Sequence, residues 1–263
     1  MSPSGFDPGS LRPGVRRLTL PDGRAVVGKR DPGGAAEAAG LRWLAVPGGP
    51  PVPEVVAAGE DWLVSEEVPA GSPSQQAATD FGRRLATLHA AGAPAFGSPP
   101  PGGPVEARIG GTGMRNEPGD SWPEWFAEHR ILAYVRRADL PETAVFDEVC
   151  ARLPELAGPP EPPARLHGDL WSGNVLWSPS GAWLIDPAAH GGHRETDLAM
   201  LALFGLPHLD TVLAAYDEAA PLAEGRQARV PLHQLFPLLV HTVLFGGGYA
   251  HQAVEAARAT LRI

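Results

Sequence analysis

Residues 164–188, ARLHGDLWSGNVLWSPSGAWLIDPA, constrain this chain more than any other stretch. Two apolar runs, Val175–Trp177 and Ala182–Ile185, flank a turn at Ser178–Gly181, a pattern that predicts a β-hairpin. Asp169 and Asn174 precede the first strand and Asp186 follows the second, so closing the hairpin carries all three to one end. Two carboxylates and an amide oxygen around one spot suit a hard cation such as Mg²⁺. Asp and Asn are also ordinary turn residues. The leading His167-Gly168 and the third acid beyond the hairpin favour the functional reading over the turn.

Upstream, RLTL-PDG-RAVVGKR reads as two short β runs joined by Pro21, Asp22 and Gly23, with Lys29 closing the second. A helix is expected over Ala35–Ala45, with Glu37, Leu41 and Leu44 on one face. VPEVVAAGE and DWLVSEEV predict two more strands around Gly59. This order describes a small α+β lobe over residues 1–71. The Pro/Ser/Gly-rich stretch Glu67–Ser74 reads as a hinge. From residue 72 to 263 the pattern turns mostly helical: Gln75–Ala91, Trp122 to Ala138, Ala144–Leu156 and the C-terminal third, where Pro237 is expected to kink a helix. The fold class expected is therefore α+β, two-lobed, with a small β-rich N-terminal lobe and a larger helical C-terminal lobe. The 32 glycines and 30 prolines sit between these periodic segments, as loops do.

Asp169 followed after four residues by Asn174 is the spacing of the phosphotransferase catalytic loop, in which the Asp receives a hydroxyl proton and the Asn holds metal. Phosphoryl transfer also needs a cation on the nucleotide phosphates. Among 21 basic residues Lys29 is the one lysine, against a background of arginine expected from a GC-rich genome. Glu37, on the following helix, supplies an acid to orient it. Taken singly, these two are a surface lysine and an exposed glutamate; upstream of the loop they complete a kinase-type set. Glu66, Glu67 and Val68 fall where an interlobe hinge would present backbone groups to adenine.

With these residues in view, the chain resembles the fructosamine (ketosamine-3-) kinase family, related in fold to aminoglycoside phosphotransferases and protein kinases. The resemblance is carried by HGDLWSGN (167–174), IDPAAHGGHRETDLAMLALFG (185–205) and LFGGGYAHQA (244–253). Weaker matches are GRRLATLHAAG (82–92), the Ile109-Gly110 and Asn116 region, and SWPEWFAEHR (121–130). The resemblance implies Asp169 as catalytic base, Asn174 and Asp186 as Mg²⁺ ligands, Lys29 and Glu37 as the phosphate-contacting pair, and residues 66–68 as the adenine hinge. It implies ATP-dependent phosphorylation of a ketosamine, free or protein-bound, at O3. The unstable phosphate then falls away, which amounts to deglycation repair. The chain departs from the family at its front, where a first strand and Gly-rich loop are expected before Lys29. The N-terminal lobe is accordingly expected to be truncated at its start, with the phosphate-covering loop shortened or replaced.

Other readings stay open. An aminoglycoside- or choline-type kinase, and a nucleotide-binding protein with little catalysis, are the alternatives. Trp171 fits packing under the sugar ring or packing in the core. His190 and His193, with His167, lack the companions of a zinc site. Arg194 and Asp197 are expected to brace the catalytic segment, Gly246-Gly247-Gly248 to turn between helices, and Cys150 to be a small buried hydrophobe. A net charge of −9 without a basic run argues against nucleic-acid and anionic-membrane partners. One cysteine, no leader-like start and no long apolar run fit a cytoplasmic protein.

Overall fold

The computed structural model describes residues 14–263. The first two strands, β1 (Gly14–Thr19) and β2 (Ala25–Arg30), close over the Pro21-Asp22-Gly23 turn. There Gly23 N–H donates to Leu20 O at 2.9 Å, and the Asp22 carboxylate accepts from Arg24 N–H at 3.0 Å. Helix α1 (Gly34–Leu44) follows, then β3 (Val55–Ala58) and β4 (Trp62–Glu66). The four strands form one antiparallel sheet in the order β1-β2-β4-β3. Alternation puts Val26 and Val64 on one face of it with Leu20, while Leu63 meets Ala38 and Leu41 of α1 on the other. Strand β1 starts before the apolar run that announced it. Gly14 to Arg17 extend it because they are in register with Arg30 to Val27, so backbone pairing rather than burial holds this exposed end. The expectation of a truncated front and altered phosphate loop concerns residues 1–13 above all, which lie outside the described residues.

Beyond residues 67–74, which form neither helix nor strand, comes α2 (Gln75–Ala90). Ser74 caps it by accepting from Ala77 N–H at 3.2 Å, and Ala78, Phe81, Leu85 and Leu88 form its buried stripe. A hairpin follows, β5 (Glu106–Ile109) and β6 (Thr112–Arg115), turning at Gly110-Gly111. Sequence periodicity had not shown it, because four-residue strands in a Pro/Gly-rich stretch carry almost no period. The helix expected from Trp122 to Ala138 is instead α3 (Trp122–Phe126), a π-helical turn (Ala127–Leu132) and α4 (Ala133–Val135). The widened turn sits where Arg130 points into the core, and such turns recur at functional positions.

The remaining elements are α5 (Ala144–Leu156), β7 (Ala164–Leu166), the expected hairpin β8 (Val175–Ser178) and β9 (Gly181–Leu184), and β10 (His190–Gly192), which pairs with β7. Then come α6 (Arg194–Phe204), α7 (Leu209–Ala219), α8 (Arg226–Phe245) and α9 (Gly248–Thr260). Helix α8 runs through Pro231 and Pro237 and ends at Gly246-Gly247, both at positive φ (61° and 58°), so GGG turns one helix into the next. Phe126, Phe146, Leu235 and Phe236 centre a core shared by α3, α5 and α8. A second core joins Trp43 and Leu44 of α1 to Phe81 and Leu85 of α2 and to Leu170, Val175 and Leu184. Leu170 and Leu184 are fully buried, each stabilising the fold by roughly 2 kcal/mol, so the residues between them are held by packing on both sides. Among the described residues no helix is long and apolar enough to cross a membrane.

Candidate active site

The β8–β9 register sets the site. Val175 faces Leu184, and just outside that pair Ile185 N–H donates to Asn174 O at 3.1 Å, which brings Asn174 beside Asp186. Asn174 Nδ2 donates to Asp169 O (2.8 Å), to Asp169 Oδ2 (3.1 Å) and, weakly, to Asp186 O (3.4 Å). That turns Asn174 Oδ1 away from Asp169 and leaves it as the oxygen a cation could take. Asp186 adopts φ 50°, the left-handed region that a residue with a Cβ enters only when its surroundings enforce it.

The loop before Asp169 is clamped from behind. Asp197 on α6 accepts from His167 N–H at 2.8 Å and from Gly168 N–H at 3.0 Å, while His89 Nε2 sits 3.2 Å from the same carboxylate. His89 Nδ1 in turn meets Tyr216 Oη at 2.8 Å. Burial pushes the Asp197 carboxyl up, but His89 and the backbone donors more than reverse that, so it stays ionised. Gly168 carries φ 82°, and a Cβ there would lie 2.1 Å from Ala188 O. His167 accepts from Asp169 N–H through Nδ1 (3.3 Å) and donates through Nε2 to Ile185 O (2.9 Å), a neutral tautomer that burial enforces. Arg194, expected as a second brace, points elsewhere. It pairs with Glu161 through two 2.7 Å bonds, because α6 turns it away from the loop.

From the small sheet, Lys29 Nζ reaches Glu37 Oε2 at 2.8 Å and Asp186 Oδ1 at 3.4 Å. Burial alone would lower the lysine's pKa; the two carboxylates raise it above its ordinary value. Glu37 is pushed up to about 7 by burial, offset in part by Lys29. Asp169 is pushed up to about 6, again by burial first, with the Asn174 amide opposing and the Asp186 charge adding.

These residues line two cavities that share Lys29, Glu37 and Asp186. A cavity of about 250 Å³ is bordered by Lys29, Glu37, Asp169, Trp171, Asn174 and Asp186, and also by Arg108 and Asn116. A second, of about 320 Å³, shares Lys29, Glu37 and Asp186 and extends under Glu66, Glu67 and Val68 between Val27, Leu63 and Ile185. The residues expected to serve catalysis, nucleotide, metal or sugar (Lys29, Glu37, Glu66, Glu67, Val68, Asp169, Trp171, Asn174 and Asp186) thus each border one or both. Trp171 is 39% exposed and meets Phe204 edge-on at 6.1 Å, so it stands at the mouth rather than in the core. Asn116 appeared in the sequence only within a weaker stretch of the family resemblance, and Arg108, inside β5 of the unforeseen hairpin, carried no signal.

The histidines divide differently from the sequence grouping. His190 is committed to Ala188 O at 2.9 Å, whereas His193 and His233 gather around Glu195. Glu195 is occupied by Arg229 through bonds of 2.6 and 3.0 Å, a structural lock between α6 and α8. Cys150 is half-buried against the helical core, and burial pushes its thiol up to about 11.

A fructosamine kinase family model matches residues 33–263. A probable ketoamine kinase of Synechocystis sp. is 37% identical over 240 residues, covering 87% of this chain and 78% of its own. A crystal structure from Thermobifida fusca with a provisional fructosamine-3-kinase assignment is 50% identical. It superposes at a TM-score of 0.87, covering 95% of this chain and 90% of that one. A macrolide 2′-phosphotransferase from Brachybacterium faecium, 20% identical, shares the fold at a TM-score of 0.59 over 96% of this chain and 93% of its own.

Proposed function

The chain belongs to the fructosamine kinase family and is an ATP-using phosphotransferase, and we propose that it phosphorylates the O3 hydroxyl of a ketosamine. The observation that carries the reading is the convergence of Asp169, Asn174, Asp186, Lys29 and Glu37 on one cavity, with a second cavity beside residues 66–68 that shares Lys29, Glu37 and Asp186. Position 3 is supported by the assignment of the 50%-identical structure.

Asp169 takes the proton from O3 as that oxygen bonds to the γ-phosphorus, and the bond to the bridging oxygen breaks to release ADP. Its raised pKa suits a base working near neutrality. Lys29, held by Glu37, lies against the phosphates. Glu66 and Glu67 N–H already donate within the sheet, to Glu54 O and Ala25 O, so Val68 N–H is the one offered to adenine. The donor set of Asn174 Oδ1 and the Asp186 carboxylate is all hard oxygen and fits Mg²⁺, which when bound would neutralise phosphate charge. The two lobes are divided at residues 71 and 72, where Gly71 N–H reaches across to Trp177 O at 2.7 Å. Trp171, at the mouth, lies under the sugar. Loss of the 3-phosphate from the product would then free the amine, a repair of glycated amines in the cytoplasm.

ADP release from ATP and Mg²⁺ tests this, with ribulose-lysine, fructose-lysine, kanamycin and choline as acceptors. Turnover on a sugar-lysine is expected. Turnover on kanamycin or choline alone would replace the ketosamine reading.

A further inference from the structure

Arg130 is 1% exposed, on the π-helical turn, with its guanidinium 4.4 Å from the Trp125 ring centroid and 5.2 Å from that of Phe236. A buried cation ordinarily sits against a carboxylate. Among the described residues, no carboxylate oxygen lies within 4.0 Å of this one. Its partners are neutral oxygens: Arg115 O at 3.0 Å, His129 O at 3.2 Å and Asn116 Oδ1 at 3.0 Å. Burial lowers its pKa to about 10, which still leaves a cation at neutral pH.

A guanidinium only donates, so this contact fixes which way the Asn116 amide faces: oxygen toward Arg130, nitrogen away from it. Asn116 is itself fully buried, and its backbone N–H is tied to Val105 O at 2.8 Å. The residue lines the same cavity as Asp169, Trp171 and Asn174, yet its Nδ2 has no hydrogen-bond partner among the described residues. A buried amide nitrogen left over in this way calls for an acceptor from outside the chain. The chemistry that fits is a sugar oxygen, hydroxyl or ring, of the molecule whose hydroxyl faces Asp169.

We infer that Asn116 Nδ2 donates a hydrogen bond to an oxygen of the sugar acceptor, and that Arg130 is a positioning residue that holds the amide in that orientation. The inference rests on the cavity beside Asp169 being the acceptor site, and it makes Asn116 a determinant of which sugars are taken. The Arg130 charge is used to polarise and orient a neutral reader instead of facing the substrate itself.

The substitution Asn116→Asp separates this from a merely structural role. It keeps the shape and an oxygen for Arg130, and supplies the missing counter-charge, but removes the donor. The expected result is a melting temperature at or above that of the unsubstituted protein. With it, kcat/KM for the acceptor falls tenfold or more, mainly through KM, while KM for ATP stays within twofold. A folded Asn116→Asp protein whose acceptor kcat/KM is within twofold of the original would overturn the inference. A second measurement needs no variant: single-deoxy analogues of the acceptor on the unsubstituted protein. Among the analogues that keep the reacting hydroxyl, one missing oxygen is expected to cost tenfold or more, and uniform turnover of all of these would also overturn it. Both comparisons use whichever sugar or alcohol the protein phosphorylates. Silence on every ketosamine would therefore sink the substrate reading while Asn116 was still judged on the acceptor that works.

Discussion

Lys29 shows how much one side chain is asked to do. It sits 2.8 Å from Glu37 and 3.4 Å from Asp186, so in the free protein it bridges a helix of the small sheet and the end of the catalytic hairpin. An ammonium is a compact charge that can swing between two carboxylates and a phosphate, whereas a guanidinium needs a planar fork of acceptors. The substitution Lys29→Arg, in a chain otherwise rich in arginine, is therefore expected to lower kcat by about 100-fold and to raise KM for ATP. Steady-state kinetics at saturating acceptor would check it, and near-normal rates would remove Lys29 from the phosphate site. That residue was readable in advance because it stood alone in composition. Asn116 was readable only as part of a weaker family match, since its contact with Arg130, fourteen residues on, depends on a helical turn whose width no periodicity announces.

Among the elements, the His167–Asp169 loop and α6 are held together through Asp197. Gly168 cannot carry a side chain: φ 82° and Ala188 O at 2.1 Å from a Cβ would force the loop off Asp197. Gly168→Ala is expected to cost about 3 kcal/mol or more and to abolish turnover. Thermal unfolding read beside activity would test this, and a stable, active variant would contradict the clamp. Helix α6 is also pinned to α8 by Glu195, Arg229 and two buried histidines. Burial holds His193 and His233 below their ordinary pKa, while burial of Glu195 is outweighed by His233 and Arg229, taking it down to about 2. In all three the unfolded chain binds protons more readily than the folded one. Their contribution is thus complete above about pH 6.5, is eroded by the histidines below that value, and by Glu195 from about 4.5 downward. Melting temperature is expected to fall as pH drops from 7 to 3, and Glu195→Gln to flatten the part of that slope below about pH 4.5. A flat profile would mean the cluster does not couple to folding.

At the scale of the molecule, a small antiparallel sheet with α1 faces a helical body across the cavity that Lys29, Glu37, Asp169, Asn174 and Asp186 line. Much of this was legible because it is local. A hairpin with turn residues between apolar runs announces itself, and so do amphipathic helices such as α2. What escaped was non-local or too short for a period: β7 and β10, three residues each and paired across the catalytic loop, the β5–β6 hairpin, and the aromatic cradle around Arg130. Even the trio Asp169, Asn174 and Asp186 was readable only as a position at one end of a hairpin. The clamp by Asp197 had been expected, but its partnership with His89 joins residues 108 apart.

The central claim is that phosphate moves from ATP to a ketosamine hydroxyl with Asp169 as the base. The most direct measurement is phosphorus NMR of a reaction containing ATP, Mg²⁺ and ribulose-lysine, run with the unsubstituted protein and with Asp169→Asn. The account expects a new phosphomonoester coupled to the proton on C3, followed by inorganic phosphate and free lysine as it decomposes, and a rate about 1,000-fold lower in the variant. A phosphomonoester at another carbon, or equal rates in the two proteins, would contradict it.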